Sequence, residues 1–337
     1  MDPLTQGLLG ASFGQALYGR ALGRRALVWG ALVGMAPDLD VVANPVSPMA
    51  EWLWHRGPTH ALWFGPVVGP VLGWLLWRWK GGRLRDWLGL AVVALFTHPL
   101  LDAFTTYGTQ LLAPFSRHRF AFDAVAIIDP AYSLVLAAAL ALGLWRGVGT
   151  AAARRAAWAA LAASSAYVGL GLAVNDRAEA IARAQLAAEG VRAERLAAYP
   201  TLFQLPFRRI VARDGDEVRV GWLSVLAPRP IAWERFTEAS GPLVESARAT
   251  EEARILEWFA MGEATPRLVD EPGGPVVEFD DLRYGFPGRP QDGLWGVRVR
   301  LDARGRPAGP GERFDRALPA QASELLGQMW RETLGLS

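Results

Sequence analysis

Three short polar motifs hold three of the chain's four histidines. They read Pro37-Asp38-Leu39-Asp40, His55-Arg56-Gly57-Pro58-Thr59-His60 and Thr97-His98-Pro99-Leu100-Leu101-Asp102, and each adjoins an apolar segment. Histidine and aspartate are costly to desolvate at membrane depth, so their presence there indicates a functional site. Because imidazole and carboxylate are the usual ligands of zinc-like cations, the motifs together predict one shared divalent-metal site.

The spacing within the motifs supports a common site. His98 and Asp102 are four residues apart, which places both side chains on one face of a helix. The Gly-Pro step between His55 and His60 predicts a tight turn that brings the two imidazoles together. The predicted metal ligands are Asp38, Asp40, His60, His98 and Asp102.

Two further residues of the second motif are predicted to take part in catalysis. His55 acts as a ligand or a proton shuttle, and Arg56 stabilises negative charge that develops on a substrate. Each motif alone also has a structural explanation: a satisfied core histidine for His98, a turn or helix cap for Asp38, and contact with lipid headgroups for Arg56.

Apolar segments must position these motifs, and up to about residue 174 the chain is a series of them. The six blocks are Pro3–Tyr18, Ala26–Ala36, Ala61–Trp77, Trp87–Leu101, Val125–Trp145 and Ala156–Val174. The third and the sixth are long enough to cross a bilayer alone, since a span needs roughly 17–25 apolar residues. The others can cross if their polar groups face the interior of a bundle. A soluble, all-helical core is the alternative.

The basic residues predict the orientation of these spans. They cluster in Arg20–Arg25, Arg78–Arg85 and Arg146–Arg155, which are the first, third and fifth connections between blocks. Basic loops stay in the cytoplasm. All three polar motifs then fall on the outer side, and so does the chain after Val174. We therefore expect a multi-pass protein of the inner membrane with an extracytoplasmic C-terminal domain.

The chain after residue 174 is charged and has the pattern of an ordinary soluble domain. Alternating apolar residues predict strands at Glu217–Trp222, Val276–Leu282 and Leu294–Leu301, and helices are expected at Asp176–Glu189, Leu243–Met261 and Ala320–Leu334. The predicted fold class is thus mainly α: a polytopic transmembrane helical bundle over 1–174 with a soluble α+β domain over 175–337. This domain covers the outer face of the bundle or binds a partner.

Composition excludes several classes of function. The net charge is +2 and no basic stripe carries interleaved aromatic residues, so we expect no nucleic-acid partner. The chain has no cysteine, which excludes disulfides and thiolate metal sites. The N-terminus lacks the basic start of a signal peptide.

Several motifs in the same order resemble a known family. They are Met1–Ala11, the Pro-Asp-Leu-Asp and His-Arg-Gly-Pro-Thr-His motifs, Thr97–Gln110 and Ile127–Tyr132. The chain is similar to the membrane-bound metal-dependent hydrolases, which are also described as LexA-binding, inner-membrane-associated hydrolases. The resemblance implies a multi-pass inner-membrane protein with a divalent-metal site, and it names no substrate. A fainter similarity to zinc-dependent phospholipase C and P1-type nucleases favours phosphoesters over peptides.

The chain departs from the family near its N-terminus. Members read Asp-x-x-Thr-His there, and Gln6 replaces that histidine. A glutamine carbonyl can bind a hard cation but is a poor zinc ligand. If the family site holds more than one metal, one position in this chain is weakened.

The resulting prediction is a membrane-embedded hydrolase with an outward-facing site, whose cofactor is a divalent metal, expected to be zinc. A metal-activated water is the expected nucleophile, and a phosphoester or lipid-linked molecule at the bilayer surface is the expected substrate. One alternative is a membrane scaffold or regulatory binding protein with a structural metal. A second is a transporter, which would place polar residues at mid-span and on both sides of the bilayer.

Overall fold

The structure is a computed structural model that describes residues 1–43, 47–317 and 322–336. The chain divides into two compact units. The first consists of Met1–Val46, Trp54–Leu172 and Leu202–Gln204, and the second of Ser47–Leu53, Ala173–Thr201 and Leu205–Ser337.

The first unit is helical. Its helices are α1 (Pro3–Phe13), α2 (Gly19–Leu22), α3 (Arg24–Met35), α4 (Asp40–Ala43), α6 (Phe64–Lys80), α7 (Leu84–Ala103), α8 (Pro130–Arg146) and the first part of α9 (Ala151–Ala188). A π-helical turn, Gly14–Tyr18, joins α1 to α2, and 3-10 turns cover Ala36–Leu39 and Pro58–His60. Helix α5 (Ala50–Trp54) lies mostly in the segment assigned to the second unit.

Local signals in the sequence explain where these helices begin. Asp2 caps α1, its carboxylate accepting a hydrogen bond of 3.0 Å from the Thr5 amide. Asp129 caps α8 in the same way and accepts hydrogen bonds from the amides of Ala131 and Tyr132. A proline follows each capping aspartate, at the position where its missing N–H costs nothing.

Close glycine contacts hold neighbouring helices together. Gly65, Gly69 and Gly73 form a stripe on α6, and a Cβ atom at Gly69 would lie 2.7 Å from Val92 Cα on α7. Gly10 on α1 and Gly30 on α3 meet in the same manner, backbone against backbone. Small residues at four-residue spacing allow such approach and are typical of helix pairs in membranes.

The structure supports fewer membrane spans than the sequence predicted. Two helices, α7 and α9, are long and apolar enough to cross a bilayer, and the bent pair Ala50–His60 plus Phe64–Lys80, with an angle of 71°, would make a third. Helices α1 and α3 have 11 and 12 residues, and each continues into a short helix only through a π-helical or 3-10 turn, so neither is by itself a helix of spanning length. The described residues therefore form a helical region with two or three candidate spans.

The second unit contains two four-stranded antiparallel sheets. One has the order β1-β2-β3-β4 and the other β5-β6-β7-β8. The strands are β1 (Arg195–Pro200), β2 (Phe207–Asp214), β3 (Glu217–Ser224), β4 (Glu234–Thr237), β5 (Ala264–Glu271), β6 (Gly274–Asp281), β7 (Trp295–Arg300) and β8 (Glu312–Asp315). The C-terminal part of α9 packs on the first sheet through Ala178, Ala182 and Leu186.

The three predicted strands coincide with β3, β6 and β7, whereas the sequence prediction missed the other five. The predicted helix Leu243–Met261 is interrupted. Helix α10 (Pro242–Arg248) ends at Arg248, and Thr250 caps the start of α11 (Glu251–Phe259). The predicted helix Ala320–Leu334 corresponds to α12 (Ala322–Thr333), and its first two residues lie outside the described ranges.

A buried carboxylate organises the second sheet. Glu278 on β6 accepts hydrogen bonds from Arg267 at 2.6 Å, Arg298 at 3.0 Å and Arg316 at 3.2 Å. Burial by itself would raise the pKa of Glu278, but the hydrogen bonds from Arg267 and Arg298 outweigh it and lower the pKa to about 2.

Candidate metal centre

Four of the predicted ligands come from three separate elements of the first unit. Asp38 lies on the 3-10 turn that follows α3, and His60 ends the 3-10 turn Pro58–His60. His98 and Asp102 lie one turn apart on α7. One ligand atom from each of the four lies within 4.8 Å of every other, and His60, His98 and Asp102 are fully buried.

Five of the six distances between these atoms lie between 2.9 and 3.4 Å, and the sixth, between the Asp38 and Asp102 oxygens, is at most 4.8 Å. His60 Nε2 lies 3.3 Å from both Asp38 Oδ1 and Asp102 Oδ2. His98 Nε2 lies 3.4 Å from the same two oxygens, and the two Nε2 atoms are 2.9 Å apart. A tetrahedral zinc site with bonds of about 2.0–2.1 Å has ligand–ligand edges of about 3.3–3.4 Å. Four of the edges thus match that geometry, and the His–His edge is somewhat shorter.

Hydrogen bonds on the far side of each imidazole assign its protons. His98 Nδ1 lies 2.6 Å from the carbonyl oxygen of Gly34, which can only accept, so Nδ1 carries the proton. His60 Nδ1 faces Thr59 Oγ1 at 3.0 Å and Asp40 Oδ2 at 3.4 Å. The Thr59 hydroxyl donates to Asp40 at 2.7 Å, so it accepts from His60. In the neutral rings both Nε2 atoms therefore present lone pairs toward each other and toward two carboxylates, an arrangement that fits a cation.

Asp40 is not among the four converging groups. Its carboxylate lies behind His60 and binds His55 Nδ1 at 2.7 Å, Thr59 Oγ1 and the Arg56 amide at 3.3 Å. Burial alone would raise the pKa of Asp40, but its hydrogen bonds with His55 and His60 hold the pKa well below its usual value. The sequence identified Asp40 as a ligand, and the structure places it where it orients His60 and His55 instead.

The side chain of Arg56 faces a metal ligand. Its Nε lies 3.3 Å from Asp102 Oδ2, and its Nη1 donates to Thr105 Oγ1 at 2.7 Å. The guanidinium also lies 4.7 Å from the centre of the Tyr107 ring, and the residue is 3% exposed. The backbone of Arg56 has a φ of 60°, a value that residues other than glycine rarely adopt without support from the surrounding structure.

Gln6, which replaces the family histidine, also contacts Asp102. Its Nε2 donates to Asp102 Oδ1 at 2.9 Å and to the His98 carbonyl at 3.2 Å, and the residue is 1% exposed. The amino group of Met1 contacts the same Asp102 oxygen. Gln6 therefore acts as a donor that orients a ligand.

The remaining polar groups of the sequence lie elsewhere. The His118 ring is exposed and packs on Phe120 at 4.6 Å. Arg119 is buried rather than interfacial, and donates to the carbonyl oxygens of Tyr107 and Gly108. Two residues of the site were not predicted: Gly34, which contributes a backbone carbonyl, and Thr59, which links His60 to Asp40.

Comparison with known proteins places the chain in a family. The family model described as YdjM inner membrane protein matches residues 1–178 of the 337, a region that contains every residue of the centre. The chain belongs to the YdjM inner membrane protein family. It is therefore a membrane protein, as the sequence predicted, and the family description says nothing of a reaction.

Two relatives match about a third of the chain each. Inner membrane protein YbcI of Escherichia coli (strain K12) is 34% identical over 121 residues, which cover 35% of this chain and 69% of that protein. The uncharacterized protein YfhP of Bacillus subtilis (strain 168) is 32% identical over 110 residues, which cover 32% of this chain and 33% of that protein. No solved structure matches the chain.

Proposed function

We propose that this protein is a membrane-embedded, divalent-metal-dependent hydrolase. One observation carries the proposal: Asp38, His60, His98 and Asp102 bring four ligand atoms within 4.8 Å of one another, and the four His–Asp edges of 3.3–3.4 Å equal those of a tetrahedral zinc site. Two nitrogens and two oxygens suit zinc and related cations. When bound, such a cation lowers the pKa of a coordinated water to about 7 and so supplies a nucleophile.

The His55–Asp40 pair supports a catalytic role beside the metal. His55 Nδ1 is hydrogen-bonded to Asp40 at 2.7 Å, which orients the ring. The His55 side chain is 15% exposed, whereas those of His60 and His98 are fully buried. We assign His55 as the proton shuttle, which accepts a proton from the attacking water and returns it to the leaving group.

Arg56 is proposed to act on the same reaction from behind Asp102. Its charge balances one of the two ligand carboxylates and lies close to where a substrate oxyanion would form. A phosphoester, either a lipid headgroup or a lipid-linked molecule, is the proposed substrate, because the family is one of inner membrane proteins and the site chemistry resembles that of zinc phosphoesterases.

We further propose a multi-pass topology with the metal centre and the second unit outside the cytoplasm. The proposal rests on the three basic connections of the sequence and on the candidate spans α7 and α9. The native chain has no cysteine, so single cysteines can report topology directly. Arg85→Cys should be protected from an impermeant maleimide in intact cells, and Glu217→Cys should be labelled.

The activity is tested on the full chain purified in detergent. Metal content is measured first, and then hydrolysis of phosphatidic acid and of bis(p-nitrophenyl) phosphate in mixed micelles. We expect zinc-dependent hydrolysis that His98→Ala and Asp38→Ala abolish, together with their bound metal. His55→Ala should keep the metal and lose at least about a hundredfold in rate, as expected for general acid–base catalysis.

The competing function is a membrane scaffold or regulatory binding protein with a structural metal. It is favoured by the number of protein ligands, because structural zinc sites are closed by four ligands and catalytic ones usually keep a position for water. LexA binding, which appears in the description of the family that the chain resembles, would belong to this class. A protein that unfolds when the metal is removed, and that hydrolyses neither substrate, would establish this alternative.

A further inference from the structure

The second unit includes a short segment that lies in sequence between Asp40 and His55. Ser47–Leu53 belongs to the second unit, although the chain before and after it belongs to the first. The segment follows α4, which begins at Asp40, and it ends two residues before His55. Asp40 and His55 are hydrogen-bonded at 2.7 Å. The chain thus leaves the metal centre at Asp40 and returns to it at His55.

Trp52 anchors this segment within the second unit. It is 1% exposed, and its ring stacks on Phe259 of α11 with centroids 5.2 Å apart and planes inclined by 16°. The guanidinium carbon of Arg313, on β8, lies 4.7 Å from the centre of the Trp52 ring. Stacking and cation–π contacts of this kind are favourable beyond the apolar area that they bury.

Arg313 also binds the segment through hydrogen bonds. Its Nη1 donates to the Glu51 carboxylate at 2.8 Å and to the Pro48 carbonyl at 3.1 Å. Its Nε and Nη2 donate to Asp315 on the same strand, which fixes the guanidinium plane. One arginine therefore contacts the segment at Pro48, Glu51 and Trp52.

We propose that the second unit positions the metal centre through this contact, with Trp52 and Arg313 as positioning residues. The proposal rests on the proposed metal site. Fixing the segment Ser47–Leu53 reduces the conformational freedom of Asp40 and His55, the site residues on either side of it in sequence. Both residues are therefore preorganised. Asp40 in turn faces His60 Nδ1 and so orients a ligand. Partners of this kind typically contribute 10–100-fold to metal affinity.

The test is cobalt binding by the full chain in detergent, with the visible spectrum of Co²⁺ reporting the ligand geometry. We expect Trp52→Ala and Arg313→Gln to weaken Co²⁺ binding about tenfold or more and to change the spectrum. Trp52→Phe retains a ring that can stack and should restore both. Arg298→Gln is the matched control, since it removes ion pairs with Glu271 and Glu278 within the same sheet.

A second measurement does not depend on metal. A spin label attached through Trp54→Cys, at a site that is 52% exposed, should become more mobile in the Trp52→Ala background and stay unchanged with Arg298→Gln. Equal Co²⁺ affinity in wild type and Trp52→Ala would overturn the proposal. If wild-type protein binds no Co²⁺, the proposed function is overturned. The spin label then tests the positioning proposal by itself, and unchanged mobility in Trp52→Ala would overturn that proposal.

Discussion

Replacing His98 with alanine removes one of four converging ligand atoms. The ring is buried on α7, its Nε2 faces Asp38 and Asp102, and its Nδ1 donates to the Gly34 carbonyl. The substitution therefore removes a metal ligand and leaves one backbone carbonyl without its partner. Both effects act at the point where α3 and α7 meet.

The expected loss of metal affinity follows from the number of ligands. Binding of zinc to four protein ligands releases about 10–16 kcal/mol in structural sites, or about 3 kcal/mol per ligand. Each 1.4 kcal/mol is a factor of ten, so loss of one ligand should weaken binding on the order of a hundredfold. The cavity left by the ring should also destabilise the helical unit by about 2–4 kcal/mol.

The assay is a Co²⁺ or Zn²⁺ titration of the full chain in detergent against a chelator of known affinity, with circular dichroism to confirm that the helices remain. His118→Ala is the matched control, because that histidine is exposed and its ring packs on Phe120. Unaltered affinity in His98→Ala, or an equal loss in His118→Ala, would refute the assignment of the metal centre.

Three other perturbations test the supporting structure. Gln6→Leu removes the hydrogen bond to Asp102 Oδ1 and should weaken metal binding about tenfold in the same titration. Gly69→Leu forces apart α6 and α7 at Val92 and should lower the free energy of unfolding by about 1–3 kcal/mol or prevent folding, as followed by thermal denaturation. Glu278→Gln should destabilise the second unit by about 2 kcal/mol at pH 7, as measured by urea denaturation of the full chain. Because the folded-state pKa of Glu278 is lowered to about 2, this stability is present above about pH 4.5 and is lost as the pH falls toward 2.

Each of these changes has a matched control. Gln15→Leu removes a buried amide that binds the carbonyls of Ala139 and Ala153, so metal affinity should stay constant. Gly169→Leu adds a side chain where a Cβ meets nothing within 4 Å, so stability should change little. Glu324 is exposed, and Glu324→Gln should not reproduce the pH effect. If a control variant has the same effect as the variant with which it is paired, the reasoning behind that prediction is contradicted.

The limits of the sequence prediction have physical reasons. Periodicity located most helices and three strands, because buried faces repeat with the period of each element. It predicted six spans where two or three helices qualify by length and composition, since apolar composition is the same in a short helix packed on glycine and in one that crosses a bilayer. The edge strands β4 and β8, with four residues each, are too short and charged to show alternation.

By itself, the sequence determined the residue types that can hold a cation, because His, Asp and apolar flanks occur together in few other contexts. It also fixed the helical caps at Asp2 and Asp129, which depend on neighbours two or three residues away. Only the tertiary structure decided that Asp38 converges with His98 while Asp40 supports His60. Asp38 and Asp40 belong to one motif but differ in role, because the chain turns between them. The direction of each side chain depends on packing against elements distant in sequence.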